Sequence, residues 1–251
     1  MITIQALLKL MMEKGASDLH LRAGVIPVFR IHGDLVRLPL EAFKPEEMDL
    51  FAQNLMNPSQ YSMFQKENEL DFAVGMKGVG RFRINAYRQR GTISFAIRSI
   101  KTQVPDFSEL FLPEVILDIA MHKRGLILVT GTTGSGKSTL LASMIDHINS
   151  NTTSNIITIE DPIEFLYRDK KSIIAQRELG PDTHSFANAL RASFRQDPDI
   201  ILIGEIRDRE TIETAMSAAD TGHLVMSTLH TMNTVETISR IISFFPPHQH
   251  D

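Results

Sequence analysis

Between Gly125 and Ile145 the chain reads GLILVTGTTGSGKSTLLASMI, and no other stretch constrains the fold as tightly. Leu126 to Thr130 are mostly apolar and partly β-branched, the pattern of a buried strand. A glycine-punctuated loop follows, and then a run with helical spacing. Gly131, Gly136, Lys137 and Ser138 satisfy G-x-x-x-x-G-K-[ST], with Thr132, Thr133, Gly134 and Ser135 between them and Thr139 after. Such a loop wraps an anion closely enough for successive backbone N–H groups to point inward, and side chains at its glycines would obstruct that path. The helix beginning near Lys137 directs its unsatisfied N–H groups at the same anion. Lys137 supplies a point charge to the outer phosphates, and Ser138 a hydroxyl to Mg²⁺. The loop is expected to hold the phosphates of a nucleoside triphosphate, ATP, together with the metal.

The rest of the chain fits a globular protein. At 251 residues with 43% apolar content it can bury a sizeable core in one or two domains. A net charge of -4, with both signs well mixed, gives no electrostatic case for binding nucleic acid. The absence of cysteine excludes disulfides and thiolate metal sites. No apolar run approaches the roughly 20 residues of a transmembrane helix. The opening MITIQALLKLMMEKGASD reads as an amphipathic helix and not as a cleaved leader, because Gln5, Lys9 and Glu13 interrupt its apolar positions.

Two patterns divide the chain. In the first hundred residues, SDLHLR and PVFRIHGDLVRL alternate like half-buried strands, with a turn near Gly33-Asp34, and Lys44 to Met56 has helical periodicity. Three further strands fill ELDFAVGMKGVGRFRINAYRQRGTISFAIRSI. In the middle one Phe82, Ile84 and Ala86 face one way, and Arg81, Arg83 and Asn85 the other. After KTQVPDFSELFLPEV, where a linker is expected, apolar strand candidates LILVT, NIITIE, DIILIGE and HLVMSTLH alternate with helical or loop stretches. That alternation predicts a parallel sheet covered on both faces. The expected division is an N-terminal domain over residues 1–103, a linker over 104–111 and a nucleotide-binding domain over 112–251.

Hydrolysis needs an acid near the metal and a group to position or deprotonate water. Two acids end apolar strands, Glu160 in NIITIEDPIEF and Glu205 in DIILIGEIRD. In a parallel sheet both emerge at the carboxyl edge, beside the phosphate loop. Taken singly, either could be a solvated strand end; together they favour function. His223 and His230 bracket one strand in TGHLVMSTLHT, on opposite faces if it is straight, which argues against a shared metal. Arg191 and Arg195 lie one helical turn apart, by default a solvated basic stripe.

With GTTGSGKST, TIEDPIEF, IILIGEIRD and TGHLVMSTLHT in this order, the sequence resembles the secretion and pilus ATPase superfamily, and within it the PilT-type retraction ATPases of type IV pili. These stretches match the family's Walker A loop, Asp box, Walker B strand and His box; GASDLHLRAG and FRIHGDL resemble its small first domain. The resemblance implies a RecA-like P-loop NTPase core with a smaller N-terminal α+β, PAS-like domain, and a hexameric ring that hydrolyses ATP for mechanical work. It implies Glu160 as the acid that positions water, Glu205 as the Walker B group near Mg²⁺, and Arg191, Arg195 and Arg207 near nucleotide or a neighbouring subunit. His223 and His230 would be the His-box pair. Arg83 and Arg98 match positions that reach the nucleotide from the first domain, where a planar guanidinium suits γ-phosphate oxygens; the competing reading is that these arginines solvate a sheet face.

The same resemblance implies a cytoplasmic protein peripheral to the inner membrane at the pilus base, working on a platform protein there. Extension and type II secretion ATPases carry a long additional N-terminal domain, so a start at the PAS-like segment favours retraction. Retraction-type relatives continue past TVETISRIISFF, so the C-terminal part of the core is expected to be missing. The alternatives are an extension or secretion ATPase, or a nucleotide-binding accessory subunit without useful turnover.

Overall fold

The structure, a computed structural model, describes residues 2–100 and 104–247. The chain divides into two compact units, residues 1–102 and 103–251. The last residues expected in the N-terminal domain, 101–103, lie outside the described residues, and the expected linker carries a single 3-10 turn, Phe107–Leu110.

The first unit is a six-stranded antiparallel sheet with helices on one face. Its elements run α1 (Ile4–Glu13), β1 (Asp18–Arg22), β2 (Val28–Ile31), β3 (Asp34–Arg37), α2 (Pro45–Leu55), α3 (Pro58–Glu67), β4 (Glu69–Met76), β5 (Gly80–Gln89) and β6 (Thr92–Ile100), with strand order β3-β2-β1-β6-β5-β4. The α1 helix starts where the Thr3 hydroxyl accepts from the N–H of Ala6, and it buries Ile4, Leu7, Leu8 and Met11, the i, i+3, i+4, i+7 stripe. Phe29, Phe82, Ile84, Phe95 and Ile97 meet that stripe from the sheet. The β2–β3 hairpin turns through His32 and Gly33, at φ 51° and 93°, so the turn lies one residue earlier than the sequence suggests. Positive φ at both central residues matches the strand twist. The α3 helix has no counterpart in the sequence reading, because Phe64 is its one buried residue.

The second unit contains α4 (Val115–Ala120), β7 (Gly125–Thr130), α5 (Lys137–Asn151), β8 (Asn155–Glu160), β9 (Ile173–Glu178), α6 (Phe186–Ser193), β10 (Ile200–Ile203), α7 (Arg209–Asp220), β11 (Leu224–Leu229) and α8 (Thr234–Ser243). Its sheet is parallel throughout, in the order β7-β11-β10-β8-β9. Alternate strand residues feed separate cores. Ile201, Ile203, Val225 and Leu229 pack with Leu190 of α6 and Ile212 of α7, whereas Ile200, Leu202, Leu224 and Met226 pack with Met144 and Ile145 of α5. Two buried faces explain why these strands read as unbroken apolar runs. The edge strand β9 is half exposed and mixed in composition, which hid it from the sequence.

Phe82 is fully buried at the centre of the first unit. Phe82→Ala is expected to lower that unit's stability by about 3–5 kcal/mol. Hydrogen exchange should show it as lost amide protection along β5 and β6.

Candidate functional site

Parallel register sets the site. Leu229 pairs with Thr130, Ser227 with Ile203, and Ile203 with Ile159, so four adjacent strands finish at one edge. With neighbouring strands about 4.8 Å apart, the residues just beyond them fall in a row: the phosphate loop after β7, His230 after β11, Gly204-Glu205 after β10, and Glu160 ending β8. Thr133, Gly134, Gly136, Lys137, Ser138 and Thr139 line one cavity of about 390 Å³ with Glu160, Glu205 and His230. Pockets of this size hold small molecules.

The loop is preformed. Gly131, at φ 147°, passes so close to Ser135 that a β-carbon there would lie 2.6 Å from the Ser135 hydroxyl oxygen. Gly136 precedes α5 at φ 94°, and no side chain caps the helix, whereas Ser185, Asp208 and Asn233 cap α6, α7 and α8. The leading N–H groups of α5 therefore stay available to an anion. Lys137 Nζ donates to the carbonyl oxygens of Gly131 and Thr132, both at 2.9 Å.

Glu160 is 8% exposed. Burial pushes its carboxyl above the ordinary value, against the opposing pull of hydrogen bonds from the Thr158 hydroxyl, the Gln176 amide and the backbone N–H of Glu164. Burial also raises the neighbouring Tyr167 phenol well above its usual value, with the Glu160 charge adding to the effect. Glu205 differs in kind. One of its oxygens takes the Arg207 guanidinium and the other lies 3.5 Å from His230 Nε2. Arg207 also reaches Asp161 at 3.8 Å. Thr228 donates to the Gly204 carbonyl at 2.8 Å, tying β11 to the start of this segment.

Within the second unit, His223, Arg191 and Arg195 lie outside the lining of this cavity. His223 precedes β11, at the end of that strand remote from His230, so roughly 20 Å of extended chain separates them. There its Nδ1 lies 3.0 Å from the Ala218 carbonyl oxygen, which places the proton on Nδ1. Arg191 is engaged by Glu210 and, at 2.7 Å, by Asn188; Arg195 is exposed beyond the end of α6. In the first unit, Arg83 and Arg98 are direct cross-strand partners. Arg98 is held at 2.8 Å by Asp18, and Arg83 lies 3.9 Å from Asp71. Burial works against the charge on Asp18, but bonds from Arg98 and Ser17 outweigh it and hold the carboxyl below its usual value. The sequence reading did not single out Thr158, Gln176, Thr228 or Asp161. Thr158 had a visible signal, a hydroxyl two residues before Glu160 and hence on the same face of the strand.

A family model described as "Type II/IV secretion system protein" matches residues 1–245. The chain belongs to the type II/IV secretion system protein family. Within it, the chain is 44% identical to the Pseudomonas aeruginosa protein named type IV pilus ATPase PilU, over 98% of this chain and 64% of that one. It is 45% identical to the protein of the same organism named type IV pilus retractation ATPase PilT, over 97% of this chain and 71% of that one. A solved structure of the pilus retraction motor PilT with bound ADP superposes with a TM-score of 0.95 at 49% identity, covering all of this chain (100%) and 73% of the other. The chain thus spans about two thirds of the length of these family members. The likeness establishes the RecA-like core with its smaller antiparallel N-terminal unit.

The close passage at Gly131 gives a test. Gly131→Ala is expected to weaken binding of a fluorescent ATP analogue by about 10- to 100-fold, from the strain of an L-residue at this φ and the contact with Ser135. Circular dichroism should remain that of the parent.

Proposed function

We propose that this chain is the motor subunit of a Mg²⁺-dependent ATPase that drives type IV pilus retraction from the cytoplasmic side of the inner membrane. One observation carries the enzymatic part: the phosphate loop and the buried carboxyl of Glu160 open onto the same cavity. The names of the PilT and PilU relatives support the pilus assignment. Assembly into a hexameric ring and docking on a platform protein at the pilus base are part of this reading. Among the described residues no helix is long and apolar enough to cross a membrane, which fits a peripheral subunit.

The chemistry follows from the residues. Lys137 exchanges two neutral carbonyl partners for phosphate oxygens, gaining stronger charge-assisted bonds. The uncapped start of α5 adds N–H donors and its dipole. Glu160 takes a proton from water, and burial suits it, because a raised carboxyl pKa brings basicity closer to working pH. Ser138 and Glu205 are hard oxygen donors suited to Mg²⁺, but both oxygens of Glu205 are engaged, so Ser138 is the more direct candidate. Among the described residues no group of three acidic or histidine side chains forms a metal cage, so the ion would come mainly with the phosphates. Bound there, Mg²⁺ would neutralise charge on the transferring phosphoryl group. Arg191, Arg195 and Arg207 are read as contacts to nucleotide or to a neighbouring subunit, and His223, at the opposite end of β11 from the loop, as a contact to a neighbouring subunit.

Phosphate release tests the reading. Glu160→Gln is expected to lower kcat about 10²- to 10⁴-fold while analogue binding persists, and Lys137→Ala to weaken binding itself. Parent-like turnover by both variants would overturn the roles; binding by the parent without phosphate release would favour an accessory subunit. In a piliated host, loss of the gene should leave cells piliated but immobile.

The ionised form of Glu160 does the work, so the parent's rate should fall as pH drops through a range above the ordinary carboxylate value. Stability runs the other way. With the folded pKa raised above the unfolded one, the contribution of Glu160 is fully present below the unfolded value and is lost as pH rises through the folded one. Glu160→Gln should therefore raise the Tm at neutral pH and flatten its pH dependence.

A further inference from the structure

The two oxygens of Glu160 have unequal surroundings. Oε1 accepts from the Thr158 hydroxyl at 2.7 Å and from Gln176 Nε2 at 3.2 Å. Oε2 meets the backbone N–H of Glu164 at 3.4 Å, near the limit of a hydrogen bond. Thr158 and Gln176 are paired directly across β8 and β9, so both side chains rise from the same face as Glu160. That face is apolar at its start, where Ile156 and Ile174 meet the core under α5, and polar at its carboxyl end.

The orientation of the Gln176 amide is fixed by partners of both kinds. Its Oε1 accepts from the Tyr167 N–H at 3.0 Å, and its Nε2 donates to the Phe165 carbonyl at 2.8 Å. Turning the amide over would set oxygen against oxygen and N–H against N–H, leaving buried groups unpaired. The Nε2 group is thereby obliged to face Glu160. Thr158 is fully buried and spends its proton on the same carboxylate oxygen.

We propose that Thr158 and Gln176 are positioning residues that pin Oε1 of Glu160, so that Oε2 is the atom that takes the proton from the attacking water. The inference rests on the reading of Glu160 as the hydrolytic base. In the step, a water O–H bond breaks and its proton passes to Oε2. The water oxygen bonds to the γ-phosphorus, and the bond from that phosphorus to the bridging oxygen breaks, its electron pair leaving with ADP. With one oxygen saturated by donors, the lone pairs left to accept a proton belong to the other. Freeing Oε1 lets the carboxylate rotate, and small misplacements of a reacting group are costly in rate.

Thr158→Val keeps the side chain's shape and removes its hydroxyl; Gln176→Leu removes the amide. Steady-state kinetics of phosphate release, with binding of a fluorescent ATP analogue in parallel, compare both with the parent, Thr158→Ser and Glu160→Gln. Thr158→Val should lower kcat about 10- to 100-fold with KM and analogue affinity unchanged, and Thr158→Ser should restore it. Added to Glu160→Gln, Thr158→Val should cause no further loss. The proposal is overturned if Thr158→Val moves KM and spares kcat, if serine does not rescue, or if the double variant loses a further tenfold. A dead Glu160→Gln beside a parent-like Thr158→Val sinks the positioning role alone, whereas a parent-like Glu160→Gln removes the base and this inference with it. If Gln176→Leu unfolds the β8–β9 loop, seen as a lowered Tm, the threonine series decides.

Discussion

Everything at the candidate site depends on parallel hydrogen-bonded register across β7, β11, β10 and β8. A parallel sheet makes every strand finish at the same edge, so residues far apart in sequence become neighbours without any contact designed between them. The glycine loop, His230, Glu205 and Glu160 are ordered along that edge by strand order alone. A shift of one residue in any strand would turn its terminal side chain to the opposite face. The two apolar clusters on either side of the sheet hold that register, since Ile201 and Ile203 can reach only one core and Ile200 and Leu202 only the other.

Along this edge the protein places two acids in opposite electrostatic settings. Glu160 is sunk among neutral hydrogen-bond donors, where its charge is costly and its basicity rises. Glu205, just beyond the end of the adjacent strand β10, has Arg207 against one oxygen and His230 near the other. Neutral donors hold the Glu160 carboxylate without compensating its charge, whereas Glu205 meets a guanidinium and an imidazole. The arrangement separates a buried acid among neutral donors from an acid paired with an arginine, although both follow apolar strands.

Much of this was legible in the amino-acid sequence, for definite reasons. The phosphate loop could be read because its glycines answer a backbone demand, and the strands before Glu160 and Glu205 because burial on both faces leaves unbroken apolar runs. The α1 helix showed its apolar stripe. What escaped was held by terms that composition does not carry. The α3 helix buries only Phe64, and its signatures are terminal: the cap in which Asn57 and Gln60 exchange bonds, Pro58 at its start and Asn68 at its end. The β9 strand is an exposed edge, so Gln176 could not be placed beside Glu160. The separation of His223 from His230 follows from strand length, and was implicit in a six-residue apolar run (Leu224–Leu229) between them.

The lysine bonded to two carbonyls of its own loop has a kinetic meaning. A ring of backbone dipoles would ordinarily collapse or wander when no anion fills it, and each arriving nucleotide would first have to organise it. Here an internal ammonium closes the ring through two bonds to its own carbonyls, so the loop's shape does not wait on an anion. On the function proposed above, a departing nucleotide would leave that cation with oxygens of its own loop to return to.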